Sequence, residues 1–585
     1  MSALVFDIEA NGFKPDKIWC VVTHDIRSGE TRKFSPSQLD EAVEYLRSAD
    51  KLIGHNIQGY DIPVVNKIFN TKIDNNTKIV DTLVLSRLFN PQREGGHGLE
   101  GWGYRLRHPK IEFDEFDSYS PKMLEYCAGD VTLNAKVYRQ LCREAKGFSK
   151  QSIQLEHDVH KIIEAQRNHG FMLDVKYATM FVASLNEHLA ECVEKVHETF
   201  RPKKIVTVIE PTHTTTGKLS KMGYIPETGK RTRWTDEEWQ LVMQGQSPIE
   251  RIEYEEFNLG SRKQIGEYLI QFGWRPTKFT PTGQPVVDEK ILINIKAIPE
   301  AQMIAEYLML QKRIGLVQSW IDAVEEDDRV RGYINTNGAV TGRMTHSKPN
   351  LAQVPSVNSP YGHESRRCWT VPKGYKLVGI DASGLELRML AHRMNDEEFT
   401  REVTDGDVHT ANQKAARLES RDKAKTFIYA LIYGAGDEKL GSITGGGRKA
   451  GRQLRENFLA SMPAFGYLKD RVERAASKGW VKGLDGRKIA IRSLHSALNA
   501  VLQSDGAIVM KAALVILDRY IREGGYDAHF VANIHDEWQI EVREDQAETI
   551  GKLGVKAIIE AGELLNVRCR LDGEYKIGNT WEETH

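Results

Sequence analysis

Apolar and polar positions divide the chain into regions of different period. Over residues 1 to about 148, short apolar runs alternate with helical stretches. Ala3 to Ile8 and Ile18 to Asp25 predict strands separated by the Asn11-Gly12 turn, Pro36 to Arg47 predicts a helix, and Lys51 to His55 a further strand. Residues 152–200 repeat apolar positions at helical spacing (Ile153, Leu155, Val159, Ile162, Ile163) with hardly a breaker among them. From about 201 to 257 the period lapses into turn-rich sequence, as at Pro211 to Gly217. Helices resume near Ser261, with Ala301 to Val324 a long amphipathic candidate. Beyond about 327 the pattern is mixed: strands near Val330 to Asn335 and Lys376 to Asp381, helices from Asp396 to about Gly479, then α/β to the end. There is no internal repeat and no low-complexity tract.

Length and composition narrow the classes. A chain of 585 residues implies roughly three or four domains, and 40% hydrophobic with 28% charged residues predicts a globular protein with ample core. A net charge of −1 gives no global basic signature, so a nucleic-acid surface would have to be local. The six cysteines (Cys20, Cys127, Cys142, Cys192, Cys368, Cys569) form no Cys-x-x-Cys pair, which argues against zinc or a disulfide framework and fits a reducing cytosol. No apolar run approaches the roughly 20 residues of a membrane span, and the opening strand Leu4 to Asp7 leaves no leader to expect. Residues 201–233 hold eight Lys/Arg against two Asp/Glu, while 234–257 hold one Arg against seven Asp/Glu. That asymmetry predicts an inserted, surface-facing module, with a plain solvated loop an equal alternative.

Two groups of carboxylates carry chemistry. Asp7 and Glu9 end the first strand at i and i+2 and so share a face. Asp61 follows another buried strand, and Tyr126 and Asp130 fall at i and i+4 of a helix. Four acids and a tyrosine can hold two divalent ions and orient a water for phosphodiester hydrolysis. Asp81 is a further acid nearby, with a role in fixing local structure equally open.

The second group is Asp381 and Asp536, each ending a separate strand-like run. Converged, they repel unless cations lie between them, and two Mg²⁺ held this way serve phosphoryl transfer. Between them in sequence, Arg421, Lys425 and Tyr429 recur at i, i+4, i+8 on one helical face, with Tyr433-Gly434 closing the stripe. Such cations suit the β- and γ-phosphates of a nucleotide, and the tyrosines its sugar and the template base. His409 could add a phosphate donor. Arg343, Asn350 and Gln353, and the i, i+4, i+8 series His495, Asn499, Gln503, are short polar donors suited to the DNA minor groove, where every correct pair offers an acceptor. Buried polar contacts are the competing reading.

The order Asp7, Glu9, Asp61, Tyr126, Asp130 resembles the tyrosine-bearing DEDD exonucleases. Asp381 to Arg388, Arg421 to Gly434 and His535-Asp536-Glu537 look like motifs A, B and C of family A DNA polymerases. The match is closest to the replicative polymerases of short-tailed (T-seven type) phages, with which Leu308 to Gly315, Asn337 to Arg343 and Gly483 to Lys488 also agree. The resemblance covers essentially the whole chain, most loosely at 201–257. It implies α/β and α+β domains: a ribonuclease-H-like exonuclease (1–148), then a right-hand polymerase with thumb (149–326, insertion at about 201–257), palm (327–395 and 499–585) and fingers (396–498). By the same resemblance Asp381 and Asp536 hold two Mg²⁺, and Asp7, Glu9, Asp61 and Asp130 hold two more. Tyr126 positions the attacking water. Glu386 lies under the sugar and excludes a 2′-OH, while Arg421 and Lys425 bind triphosphate, Lys425 also protonating the leaving group. Tyr429 in its tyrosine form implies ready acceptance of dideoxynucleotides, and His535 and Glu537 lie near the primer end. Implied partners are primer-template DNA, dNTPs, a helicase-primase, a single-strand DNA-binding protein, and a processivity factor such as host thioredoxin at 201–257. That insertion matches in place but not in sequence, and looks shorter. No membrane is implied, and the compartment is cytoplasmic, in the host cell if phage-encoded.

Two rivals are weighed. A repair-type polymerase whose exonuclease is lost conflicts with the intact Asp7, Glu9, Asp61 and Asp130. A primer-template binding protein without catalysis conflicts with the presence of both Asp381 and Asp536.

Overall fold

The first strand, β1 (Ala3–Ala10), is apolar on both faces and therefore central. Leu4, Phe6 and Ile8 enter one core, while Val5 enters another on the opposite side, so Asp7 and Glu9 share the face of Val5. In this computed structural model, which describes residues 2–75 and 77–585, β1 is joined by β2 (Ile18–Asp25), β3 (Thr31–Phe34), β4 (Lys51–Gly54) and β5 (Lys78–Asp81). The order is β3-β2-β1-β4-β5, with β1, β4 and β5 parallel and β2 and β3 antiparallel to their neighbours. The predicted helix at 36–47 begins as a 3₁₀ turn, Pro36–Gln38, before α1 (Leu39–Arg47). The helices α2 (Asp61–Ile68), α3 (Thr82–Phe89), α4 (Leu99–Arg105) and α5 (Pro121–Glu144) follow, and Cys127 and Val131 of α5 pack on the Val5 side. α5 starts sharply because Ser120 accepts from the Met123 amide and Pro121 occupies the first helical position.

The helical stretch read over 152–200 consists of two helices. α6 (Lys150–His169) stops at Gly170, whose φ of 76° lies in the left-handed region. A short strand, Phe171–Leu173, intervenes before the Val175–Thr199 helix. The described residues form two compact units, one of residues up to 175 with 322–585, the other of 176–321. α6, placed with the thumb by the sequence boundary at 149, thus groups with the residues on either side of that span. It packs on α3 and on the Ala497–Gly524 helix.

Within the second unit, residues 203–255 are a folded module. Four antiparallel strands run in the order Ile249–Glu255, Lys203–His213, Leu219–Ile225, Lys230–Arg233, with the helix Asp236–Met243. Ile209, Trp234, Val242 and Ile249 form its small core. Cross-strand partners Val206 and Ile252 lie on the other, exposed face with Val208 and Tyr254.

In the first unit, residues 322–585 carry a four-stranded antiparallel sheet ordered Ala528–Ile534, Glu537–Arg543, Tyr375–Ala382, Gly573–Gly578. Val378, Ile380 and Ala382 alternate into the main core, which leaves Asp381 on the opposite face. The Ala497–Gly524 helix and its leading turn are long and apolar enough to cross a bilayer, correcting the expectation that no such run exists. Its most apolar window is 78% buried inside the protein, as befits a core helix.

Candidate active sites

The N-terminal acids converge on one cleft of about 900 Å³, lined by Asp7, Glu9, Asp61, Tyr126 and Asp130. β1 supplies Asp7 and Glu9, the first residue of α2 supplies Asp61, and α5 supplies Tyr126 and Asp130. Asp61 is held against β1 by the Ile8 amide, 3.1 Å from its Oδ1. Burial, reinforced by Asp61, Glu9 and Asp130, lifts Asp7 well above the usual carboxylate range. Burial first, then Cys20, Asp130 and Asp61, pushes Glu9 up to about 9. Burial also raises Asp61 to about 7 and raises Asp130.

Such a cluster of hard oxygen donors, each disfavoured as an isolated anion, suits small divalent cations. The Cys127 thiol also lies beside Asp7 and Glu9. Burial holds it well above its ordinary value, so it stays a neutral thiol donating toward the Asp7 carbonyl at 3.5 Å. It does not belong to the donor set of a hard cation.

Sequence reasoning missed Lys110. Its Nζ lies 2.7 Å from Asp130 Oδ2 and 4.8 Å from the centroid of the Tyr126 ring, and these partners raise its pKa despite burial. It sits in an irregular segment between α4 and α5, where no periodicity marks a position. Asp81 does not line the cleft. It is fully buried, caps α3 and binds the amides of Asn56 and Gln58 at 2.9 and 3.1 Å.

The second site forms where neighbouring antiparallel strands end together. Asp381 pairs in register with Glu537 on one side and Glu574 on the other. Asp536 lies in the two-residue turn between its strands, and its carbonyl accepts from the Ala382 amide at 3.1 Å, which sets the two acids side by side. The turn is possible because His535 adopts φ 57°. Burial, then Asp536, Glu537 and Glu574, pushes Asp381 up to about 7, and burial raises Asp536.

Glu386 opens the Leu385–Met394 helix and is held from two sides, by the Tyr433 hydroxyl at 2.6 Å and by Arg343 at 3.2 Å. Tyr429 and Tyr433 stack at 6.4 Å, and His409 lies 6.3 Å from Tyr429. Lys425 is exposed on the same Arg421–Ile432 helix, whereas Arg421 is engaged by Asp407 at 2.8 Å.

The groove residues fare unevenly. Asn499 and Gln503 share a half-buried face of the core helix, but His495 precedes it on a 3₁₀ turn, Leu494–Ser496, and packs against Gly434. Asn350 caps its own 3₁₀ turn through the Ala352 amide, and Gln353 is exposed. Glu537 departs from the expected DNA contact. Its buried carboxylate is occupied by Gln539 Nε2 at 2.5 Å, Trp581 Nε1 at 2.6 Å and His585 Nδ1 at 2.9 Å, leaving it a structural role.

Residues 235–583 match the model of DNA polymerase family A, and residues 4–96 that of the RNase H superfamily. The DNA-directed DNA polymerases of Enterobacteria phage T3 and Escherichia phage T7 are 34% and 33% identical to this chain, over 100% of both chains in each comparison. The POL domain of Pol1 from M. smegmatis, solved in complex with DNA primer-template and dNTP, shares the fold at TM-score 0.78, covering 100% of this chain and 96% of its own at 17% identity. The chain belongs to DNA polymerase family A: it is a DNA-directed DNA polymerase of the phage type, with an N-terminal domain of the RNase H superfamily. Both families are metal-dependent.

Proposed function

We propose that the chain copies primer-template DNA at the Asp381–Asp536 site and edits the primer 3′ end at the Asp7–Glu9–Asp61–Asp130 site, each site holding two Mg²⁺. The observation that carries this reading is the side-by-side placement of Asp381 and Asp536, with Asp381 pushed up to about 7 by burial and then by Asp536, Glu537 and Glu574. When bound, the ions lower the pKa of the attacking oxygen and stabilise charge on the leaving one. In this assignment residues 327–395 and 499–585 are the palm, 396–498 the fingers and 149–326 the thumb, with the α6 exception noted above.

The chain's own groups do the rest. Tyr433 and Arg343 fix Glu386 where it excludes a 2′-OH. Lys425 and Arg421 receive the triphosphate; Arg421 exchanges an exposed ion pair with Asp407 for it, and such pairs contribute little. Lys425 donates the proton to pyrophosphate, Tyr429 packs on the sugar, and His409 adds a phosphate donor. Arg343, Asn350, Gln353, His495, Asn499, Gln503 and His535 track the duplex. At the editing site Lys110 orients the Tyr126 hydroxyl, which positions the attacking water.

The exposed apolar face of the 203–255 module (Val206, Val208, Ile252, Tyr254) supports a partner there, a processivity factor of the thioredoxin kind or a DNA-tethering role. A helicase-primase and a single-strand DNA-binding protein complete the expected setting, in the cytoplasm of a host cell.

The test uses the full chain. Asp536→Ala abolishes primer extension by at least about a thousandfold and spares decay of a labelled single strand, and Asp7→Ala with Glu9→Ala does the reverse. Extension at the wild-type rate by Asp536→Ala removes the metal assignment.

A further inference from the structure

Adjacent residues of α6 reach toward the two sites. Glu156 binds Arg487 Nη1 at 2.6 Å and Lys511 Nζ at 2.7 Å, with all three side chains buried and Asp485 bracing Arg487 at 2.7 Å. His157, the next residue, turns the other way, to the end of β5. Its Nε2 accepts from the Asp81 amide at 2.9 Å, so the proton sits on Nδ1, which donates to the Ile153 carbonyl at 2.8 Å. Asp81 in turn uses its carboxylate on the loop that delivers Asp61. Oδ1 takes the Asn56 amide and Oδ2 the Gln58 amide, while Oδ1 also caps α3 through Leu83 at 2.9 Å.

That loop needs holding. Asn56 has a left-handed φ of 65°, and the Gly59 and Tyr60 amides both return to the Asn56 carbonyl, a tight coil immediately before Asp61. The Gln58 side chain adds a second tie, donating to the His157 carbonyl at 3.3 Å. Neither Asp81 nor His157 lines the Asp7–Asp61 cleft.

We propose that His157 is a positioning residue for the exonuclease site. Through Asp81 it fixes the 55–60 loop and hence Asp61, and through Glu156 on the same helix that loop is referred to the Arg487–Lys511 cluster of the polymerase half. The proposal rests on the exonuclease reading of the cleft. The physical reason is that a buried amide must have an acceptor, and once Asp81 shifts to find another, both loop bonds shift with it. Groups that orient a ligand from behind commonly change metal affinity 10- to 100-fold when removed.

Two full-length variants separate the acceptor from the bulk. His157→Gln can place an oxygen where Nε2 stands, and His157→Leu fills the volume with none. Both are measured for Mg²⁺ dependence of single-strand decay, for primer extension, and for Mn²⁺ binding by calorimetry in a background of Asp381→Asn with Asp536→Asn. For His157→Leu we expect the half-saturating metal to rise about tenfold with KM for the strand unchanged. His157→Gln stays within about twofold, and both variants extend primers normally. Wild-type metal dependence in His157→Leu overturns the proposal, as does a Gln variant as impaired as the Leu variant. If His157→Leu does not fold, His157→Asn, whose oxygen falls short of the Asp81 amide, takes its place under the same criteria. Should the wild-type protein degrade no single strand, the exonuclease reading itself fails, and the Mn²⁺ binding still decides the positioning role.

Discussion

Glu9 is where the N-terminal electrostatics are easiest to measure. Burial first, then Cys20, Asp130 and Asp61, favour its protonated form while Lys110 pulls the other way, and the carboxyl is pushed up to about 9. A carboxyl with its folded value above its unfolded one binds its proton more tightly in the folded state. Its contribution to stability is therefore present at low pH and eroded as pH rises from about 4.5 towards 9. Glu9→Gln, which cannot ionise, should melt about 2–4 °C higher than wild type near pH 8 without metal, and no higher near pH 4. Added Mg²⁺ should raise the wild-type midpoint and close the gap. Equal melting at pH 8 in chelator would mean that Glu9 is not under the strain described. The same reasoning makes these acids poor stabilisers and good ligands.

Among elements, α6 takes part in a buried charge cluster. Glu156 is sealed between Arg487 and Lys511, and burial holds Lys511 down at about 8 even with that partner. Glu156→Gln leaves two buried cations with one acid, Asp485, and should cost about 3–5 kcal/mol by denaturant titration. A loss below about 1 kcal/mol would show that water reaches the cluster. None of this was visible from spacing, since Glu156, Arg487 and Lys511 are far apart in sequence and only the fold joins them. What spacing did reveal was local: the i, i+2 acids of β1, the i, i+4 pair on α5 and the stripe on the Arg421–Ile432 helix all rest on a single element's period. The break at Gly170 was missed because one glycine in an otherwise helical stretch carries little weight, and only its left-handed φ gives it away. The 203–255 sheet was missed because its strands expose half their apolar residues and so lack clean alternation.

At the scale of the whole molecule, the 203–255 module joins the chain through neighbouring ends. Lys203 pairs with Glu255, and Phe200 stacks on Phe257 at 4.6 Å, so the segment can be excised without opening a gap. Deleting 203–254 should shorten the products made per binding event on a long single-stranded circle by about tenfold, while single-nucleotide addition is unchanged. Products of unchanged length would assign the exposed face some other purpose. The identity of the partner was never in the sequence, because an apolar face records that something binds and not what.

The contacts of α6 also bear on how the enzyme can be taken apart. A cut after residue 148 looks natural on a map of the chain, yet a fragment starting there would keep His157 with nothing to accept from. The fragment ending there would carry Asp81 with its amide bare. Gln58 would likewise lose the His157 carbonyl to which it donates. The two activities are therefore separable by changing acids one at a time, and poorly separable with scissors.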